Sequence, residues 1–215
     1  MARLVELNRG PLVGAPRAVD ELPSAPASAT VLDVRAASDY LAGHTRGALN
    51  VPVSGTSFAT KSGFVLDADD RIVVQAASTR EAERAIRGLQ AVGFLELEGY
   101  VLGAGSERIE PVELDELDEL LERGVELIDV RERDERDSGY IAGSRNIPYR
   151  LLPLCAAEVP TDRPVVTICE SGARAGIAAS ILAARGVPAR PVLDGGITAW
   201  AARGGAMVEF RRCGS

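Results

Sequence analysis

Apolar positions along the chain follow two periods, one of a helix and one of a buried strand. Over residues 112–123 they fall at Val112, Leu114, Leu117, Leu120 and Leu121, a helical spacing, and Gly124 follows as a stop. Residues 126–130 are a short apolar run closing on Asp129-Val130-Arg131, which reads as a strand. Val165-Val166-Thr167-Ile168 is β-branched throughout and predicts a second, fully buried strand. Residues 173–184 are rich in Ala, Ile and Leu and run to Gly186, which predicts a helix. A strand over 189–193 and a helix over 197–202 complete this half. The first half carries the same order, with a strand at 71–75, a helix at 79–92 and a strand at 94–97. Strands alternating with helices imply an α/β fold, a parallel sheet with helices on both faces.

The halves also share words. Val31-Leu32-Asp33-Val34-Arg35 corresponds to Leu127-Ile128-Asp129-Val130-Arg131, 96 positions later. Asn50-Val51-Pro52 matches Asn146-Ile147-Pro148 at the same distance, and Leu97-Glu98-Gly99 matches Leu193-Asp194-Gly195. Three landmarks in one register make the chain a tandem repeat, with domains at 1–107 and 108–215.

Composition narrows the chemistry. Apolar residues make up 46% but aromatic ones only 4%, so Val, Leu, Ile and Ala must build the cores. The net charge of −7 argues against nucleic acid and against an anionic membrane surface. One histidine, His44, leaves no Cys/His zinc site and no histidine-activated triad. The three cysteines, Cys155, Cys169 and Cys213, show no metal-ligand spacing, so no metal is expected. Ala27-Ser28-Ala29 resembles a leader cleavage site, but Arg9, Arg17, Asp20 and Glu21 interrupt any apolar run before it. No stretch is apolar for the length of a membrane span. The expectation is a cytoplasmic protein.

A cysteine without histidine needs another source of activation. The segment Cys169-Glu170-Ser171-Gly172-Ala173-Arg174 joins the expected strand ending at Ile168 to the helix beginning near Ala173. In an open α/β sheet, sites form at the carboxyl ends of strands. Converging N–H groups of the loop and the positive end of the helix stabilise a thiolate and any anion brought to it. Gly172 permits a tight turn, and Arg174 adds a permanent positive charge.

This Cys-x-x-Gly-x-Arg loop resembles the active-site loop of the rhodanese-like sulfurtransferases. The Asp-Val-Arg strand end, the Gly139 to Pro148 stretch ending in Asn-Ile-Pro, and Leu193-Asp194-Gly195-Gly196-Ile197 with Trp200 resemble the same family. The resemblance implies two rhodanese-like domains and ping-pong chemistry. Cys169 takes a sulfane sulfur from thiosulfate or a persulfide and passes it to cyanide or a thiol. It implies no metal or organic cofactor, only a covalent cysteine persulfide. The partners it implies are the small donor and acceptor, and possibly a sulfur-relay protein. Glu170, Ser171, Gly172, Ala173 and Arg174 would bind the anionic group. A non-enzymatic persulfide sensor or docking module is the alternative. A small phosphatase or arsenate reductase is a third reading, but phosphatases resembling the same fold use a loop one residue longer, so the spacing favours sulfur over phosphorus.

Other residues have blander readings beside the functional one. Asp129 and Arg131 either support the site or only tie down a strand end. Cys155 reads as a small buried apolar residue, Cys213 as part of a frayed terminus, His44 as structural and Trp200 as core. The acidic run 113–122 reads as a solvated helix face. Aligning Arg80 with Arg174 sets Gln75 opposite Cys169, so the first half has no sulfur carrier. Glu170 is a carboxylate beside the nucleophile that would repel a dianionic donor, unless pairing with Arg174 offsets it.

Overall fold

The structure is a computed structural model in which residues 19–209 are described. The expectations for residues 1–18 and for Cys213 lie outside them. The chain divides into two compact units between Arg108 and Ile109.

The first unit runs β1 (Thr30–Asp33), α1 (Ala37–Ala42), β2 (Leu49–Asn50), α2 (Phe58–Val65), β3 (Ile72–Ala76), α3 (Thr79–Ala91) and β4 (Leu97–Leu102). Its sheet has the order β2-β1-β3-β4, with every pairing parallel. The second unit begins with α4 (Leu114–Glu122), β5 (Glu126–Asp129), α5 (Arg133–Asp137), β6 (Tyr140–Ile141) and β7 (Arg145–Asn146). It continues with α6 (Leu152–Cys155), β8 (Val165–Ile168), α7 (Ala173–Ala184), β9 (Ala189–Pro191), α8 (Gly196–Ala202) and β10 (Met207–Val208). Its main sheet is β7-β5-β8-β9, again parallel, and a short antiparallel ribbon joins β10 to β6. The fold is α/β, with parallel sheets flanked by helices.

Burial follows the apolar pattern. All four residues of β8 and all five of β3 are buried, and each large aliphatic side chain so placed contributes roughly 1.5–3 kcal/mol of transfer free energy. In the second unit Leu117, Leu127, Val166, Ile168, Val192, Ile197 and Trp200 form one cluster, with Leu114, Leu120 and Leu121 packed against it. The apolar stripe of α4 therefore faces the core, and Trp200 is core as expected. The helix α7 is buried over Ala175 to Leu182. Its small residues let it lie close to the sheet, where the Thr167 hydroxyl donates to the Ala175 carbonyl at 3.0 Å.

Each unit contains the same polar corner. Arg35 donates to both carboxylate oxygens of buried Asp33 and, at 2.7 Å, to the Gly43 carbonyl. Arg131 does the same to Asp129 and, at 2.7 Å, to Gly139. The Asn50 amide donates to the carbonyls of Asp33 and Arg35, and the Asn146 amide to those of Asp129 and Arg131. These residues keep the 96-position spacing, so the first two landmarks of the repeat are structural equivalents. The third is not. Leu97 to Gly99 lies inside β4, whereas Leu193 to Gly195 lies in the loop after β9 that leads into α8. The strand expected at 94–97 starts at Leu97 instead, because the Phe94 N–H still bonds back to the Leu89 carbonyl and closes α3.

Candidate active site

The strand β8 delivers the chain to Cys169, which is free and 1% exposed. The carbonyls of Cys169 and Glu170 turn aside to accept from the N–H groups of Ile197 and Thr198, at 2.9 and 3.2 Å, in the first turn of α8. A trans peptide points its C=O and N–H in opposite directions. The N–H groups of Glu170 and Ser171 therefore face away from α8. The Gly172 N–H donates to the Cys169 Sγ at 3.2 Å.

Two glycines make this path possible. Gly172 has φ +99°, and a Cβ there would sit 1.8 Å from the Leu193 carbonyl oxygen. Gly196 has φ +50°, and its Cβ would sit 2.1 Å from the Cys169 carbonyl oxygen. Any side chain at either position collides with backbone and demands a strained conformation. The Gly195-Gly196 pair thus lets α8 approach the back of the cysteine loop.

The charges around the loop are paired off. Arg174 makes a bidentate ion pair with Glu135 at 2.5 and 2.6 Å. The Arg174 hydrogen bonds hold the Glu135 carboxyl below its usual range, and Glu135, aided by the nearby Cys169, holds Arg174 further above its ordinary value. Buried Arg131 serves Asp129 and reaches Glu170 at 3.2 Å. Arg136 also donates to Asp129, at 3.2 Å, and to the Ser144 carbonyl. The half-exposed Glu170 carboxylate takes a second hydrogen bond from the Thr198 hydroxyl at 2.6 Å.

The structure thus brings Cys169, Glu170, Gly172, Arg174 and, behind them, Asp129 and Arg131 to one end of the sheet. Ser171 and Ala173 are exposed on the same loop. The pairing expected between Glu170 and Arg174 is not formed: Glu170 goes to Arg131 and Arg174 to Glu135. Glu135 and Thr198 escaped sequence reading because each lies 28 to 39 positions from its partner. The only local signal for Glu135 is that it completes a capping box with Glu132 at the start of α5.

The first unit shows what replaces the cysteine loop. Asp33 pairs with Gln75 across β1 and β3, and Asp129 pairs with Ile168 across β5 and β8. Gln75 therefore stands opposite Ile168, and Ala76, not Gln75, holds the place of Cys169. The alignment on Arg80 slipped because the loop is one residue shorter: Ala76, Ala77 and Ser78 precede α3 where Cys169 to Gly172 precede α7. Gln75 is buried, donates to the Gly103 carbonyl at 2.9 Å and so ties β3 to the chain after β4. Ser78 caps α3 by accepting from the Glu81 N–H at 3.3 Å, and the Glu81 carboxylate accepts from the Ala77 N–H at 2.7 Å. His44 is buried, stacked on Tyr40 and bonded to its carbonyl, a structural role.

Elsewhere, Cys155 is half-buried rather than buried. The acidic face of α4 is solvated but partly paired, Asp115 and Asp118 with Arg203 and Glu116 with Arg190. Among the described residues there is no cluster of His, Cys, Asp or Glu able to hold a metal, and no helix long and apolar enough to cross a membrane.

Comparison with known proteins gives one family. The model of the rhodanese-like domain matches residues 16–107 and again 113–203. The chain is similar to the uncharacterized protein YqhL of Bacillus subtilis, 41% identical over 78 residues, covering 36% of this chain and 62% of that protein. It is similar to a sulfurtransferase of Allochromatium vinosum, 40% identical over 78 residues, covering 36% of this chain and 73% of that one. Among solved structures, a rhodanese-related protein of Thermoplasma volcanium is 29% identical with a TM-score of 0.44, covering 47% of this chain and 99% of that one.

Proposed function

This chain belongs to the rhodanese-like domain family, and from that premise we propose that its second domain transfers sulfane sulfur through a persulfide on Cys169. The family and its sulfurtransferase relatives support a sulfurtransferase-type function. The donor, the acceptor and the steps are our reading.

The cycle has two displacements. The Cys169 thiolate attacks the outer sulfur of a donor R–S–SH, forming a new S–S bond as the donor's S–S bond breaks. The electron pair and a proton leave with RSH; from thiosulfate the leaving group is sulfite. A thiolate or cyanide then attacks the outer sulfur of the persulfide, and Cys169 departs as thiolate, ready for the next donor. No metal or organic cofactor enters, and a sulfur-relay protein can stand at either end. We place this work in the cytoplasm.

The single observation that carries the reading is the Gly172 N–H on the Cys169 Sγ, in a loop whose next N–H groups face away from α8. Such donors favour the thiolate and hold the transferred sulfur. The charge pattern supports a preference among donors. Arg131, Arg136 and Arg174 each meet a carboxylate, and Glu170 is fixed at the rim. A dianion such as thiosulfate finds no uncommitted arginine there, so a persulfide of lower charge is the better donor.

The test is mass spectrometry after incubation with a sulfane donor. A gain of about 32 Da, one sulfur atom, on the Cys169 peptide is expected, with none in Cys169→Ser. Turnover across a panel of donors and acceptors should follow, with persulfides ahead of thiosulfate. Labelling elsewhere in the chain would overturn the assignment. Labelling of Cys169 without turnover would favour the persulfide sensor, a reading for which the fully paired arginines leave room.

A further inference from the structure

The first domain has lost its cysteine but not its cleft. An open cleft of about 490 Å³ lies among Ser54, Ser78, Arg80, Glu81, Arg84 and Arg87. Ser54 follows the end of β2 and Ser78 follows the end of β3, so the cleft sits at the carboxyl edge of the parallel sheet, where α/β folds hold ligands. Arg80 is the second residue of α3, as Arg174 is of α7. The cleft is therefore the first domain's counterpart of the Cys169 site.

Its arginines differ from those of the second domain in being uncommitted. Among the described residues, neither Arg80 nor Arg84 forms an ion pair, and Arg87 meets Glu83 only at 3.6 Å with both side chains exposed. The one carboxylate lining the cleft, Glu81, is turned onto the Ala77 N–H at 2.7 Å. Like charges three and four positions apart weaken a helix. Beyond the weak Arg87–Glu83 pair, the row at 80, 84 and 87 carries mutual repulsion, in a chain whose net charge is −7. It spans about 10 Å of helix, longer than one tetrahedral anion. Guanidinium groups bind phosphate oxygens in pairs, with serine hydroxyls as further donors.

We propose that this cleft binds a ligand through a pyrophosphate group, with Arg80, Arg84 and Arg87 on its oxygens and Ser54 and Ser78 at its edge. No covalent step is involved, and binding is independent of Cys169. The source is either inorganic pyrophosphate or the diphosphate of a nucleotide, and two titrations separate them.

The experiment is calorimetry at low salt on the full chain carrying Cys169→Ser, with inorganic pyrophosphate in one arm and ADP in the other. Saturable one-site binding below about 1 mM is expected in at least one arm, weakening as salt rises. R80Q/R84Q should weaken it about tenfold or more, R80K/R84K should weaken it less, since charge is kept and paired hydrogen bonds are lost, and Arg163→Gln, an exposed arginine of the second domain, should change nothing. Thermal melts of the variants should match the parent, since both arginines are exposed. No saturation in either arm overturns the proposal. So does binding unchanged in R80Q/R84Q, or inorganic sulfate binding as tightly as pyrophosphate.

Discussion

In the first domain, Asp33, Arg35, Gly43 and Asn50 make the hydrogen bonds that Asp129, Arg131, Gly139 and Asn146 make in the second. Forty residues on, the likeness ends. At the third position of α3 stands Glu81, whose carboxylate closes over the loop, while α7 has Ala175 there. Ser78 caps the first helix with its hydroxyl, while Gly172 leaves its N–H to a sulfur. A helix start must satisfy its N–H groups somehow. One domain does so with its own side chains, the other leaves one N–H to the sulfur of Cys169. The shared corner is architecture, and the loop is where the two part.

The largest way to test that division is at Cys169, the nucleophile we propose. Cys169→Ser should lower sulfur transfer by roughly 1000-fold or more, measured as turnover with any donor. Ala76→Cys alone should gain no sulfur, because Glu81 occupies the loop it would need. A triple change of Ala76→Cys, Glu81→Ala and a glycine inserted after Ser78 should take up sulfur in mass spectra. If Ala76→Cys alone is labelled as fast as Cys169, the loop does not explain the difference.

Next comes the shared corner. Asp33→Asn and Asp129→Asn each leave a buried arginine with half its partner, and each should cost about 3 kcal/mol in denaturant melts. The loss should be somewhat larger for Asp129→Asn, because Arg136 is weakened there as well as Arg131. A loss confined to Asp129→Asn would mean that the corner serves the site rather than the fold.

A smaller effect concerns donor choice. Glu170→Arg should raise thiosulfate kcat/KM about tenfold, or about 1.4 kcal/mol, and leave a neutral persulfide donor unchanged. Thiosulfate turnover that is already high and is unmoved by Glu170→Arg would remove the carboxylate from the account.

The smallest is a pH effect on stability. Glu135 has a folded-state pKa depressed by Arg174, so its contribution is present above its unfolded value and is lost as pH falls through the depressed one. Glu135→Gln should lower stability by less than about 1 kcal/mol at pH 6, given its partial exposure, and by progressively less as pH falls below the unfolded carboxyl range.

Much of this was legible in the chain. The β-branched run and the Ala-rich run became β8 and α7 at the expected bounds, because both are buried and their periodicity is not interrupted. The short helices α1, α5 and α6 were missed, since four to six residues hold too few turns to show a period. The Leu-Glu-Gly and Leu-Asp-Gly match misled because short words recur by chance in an aliphatic chain. Register between sheet partners, not the position of arginine, identified Ala76 as the cysteine's counterpart. Glu135 and Thr198 are set beside the loop by topology, which no local window contains.

The Cys169 and Glu170 carbonyls are held by the first turn of α8, and Gly196 is what lets that turn come so near. During synthesis the chain emerges in order, so the first domain's last strand is out before the second domain begins. The cysteine loop has no such independence. When Cys169 leaves the ribosome its backing is still some 27 residues away in the tunnel. Cys169 therefore gains the backing of its loop only once α8 has followed it out. A chain cut before Gly196 would hold Cys169 in a loop whose carbonyls have lost their two donors from α8.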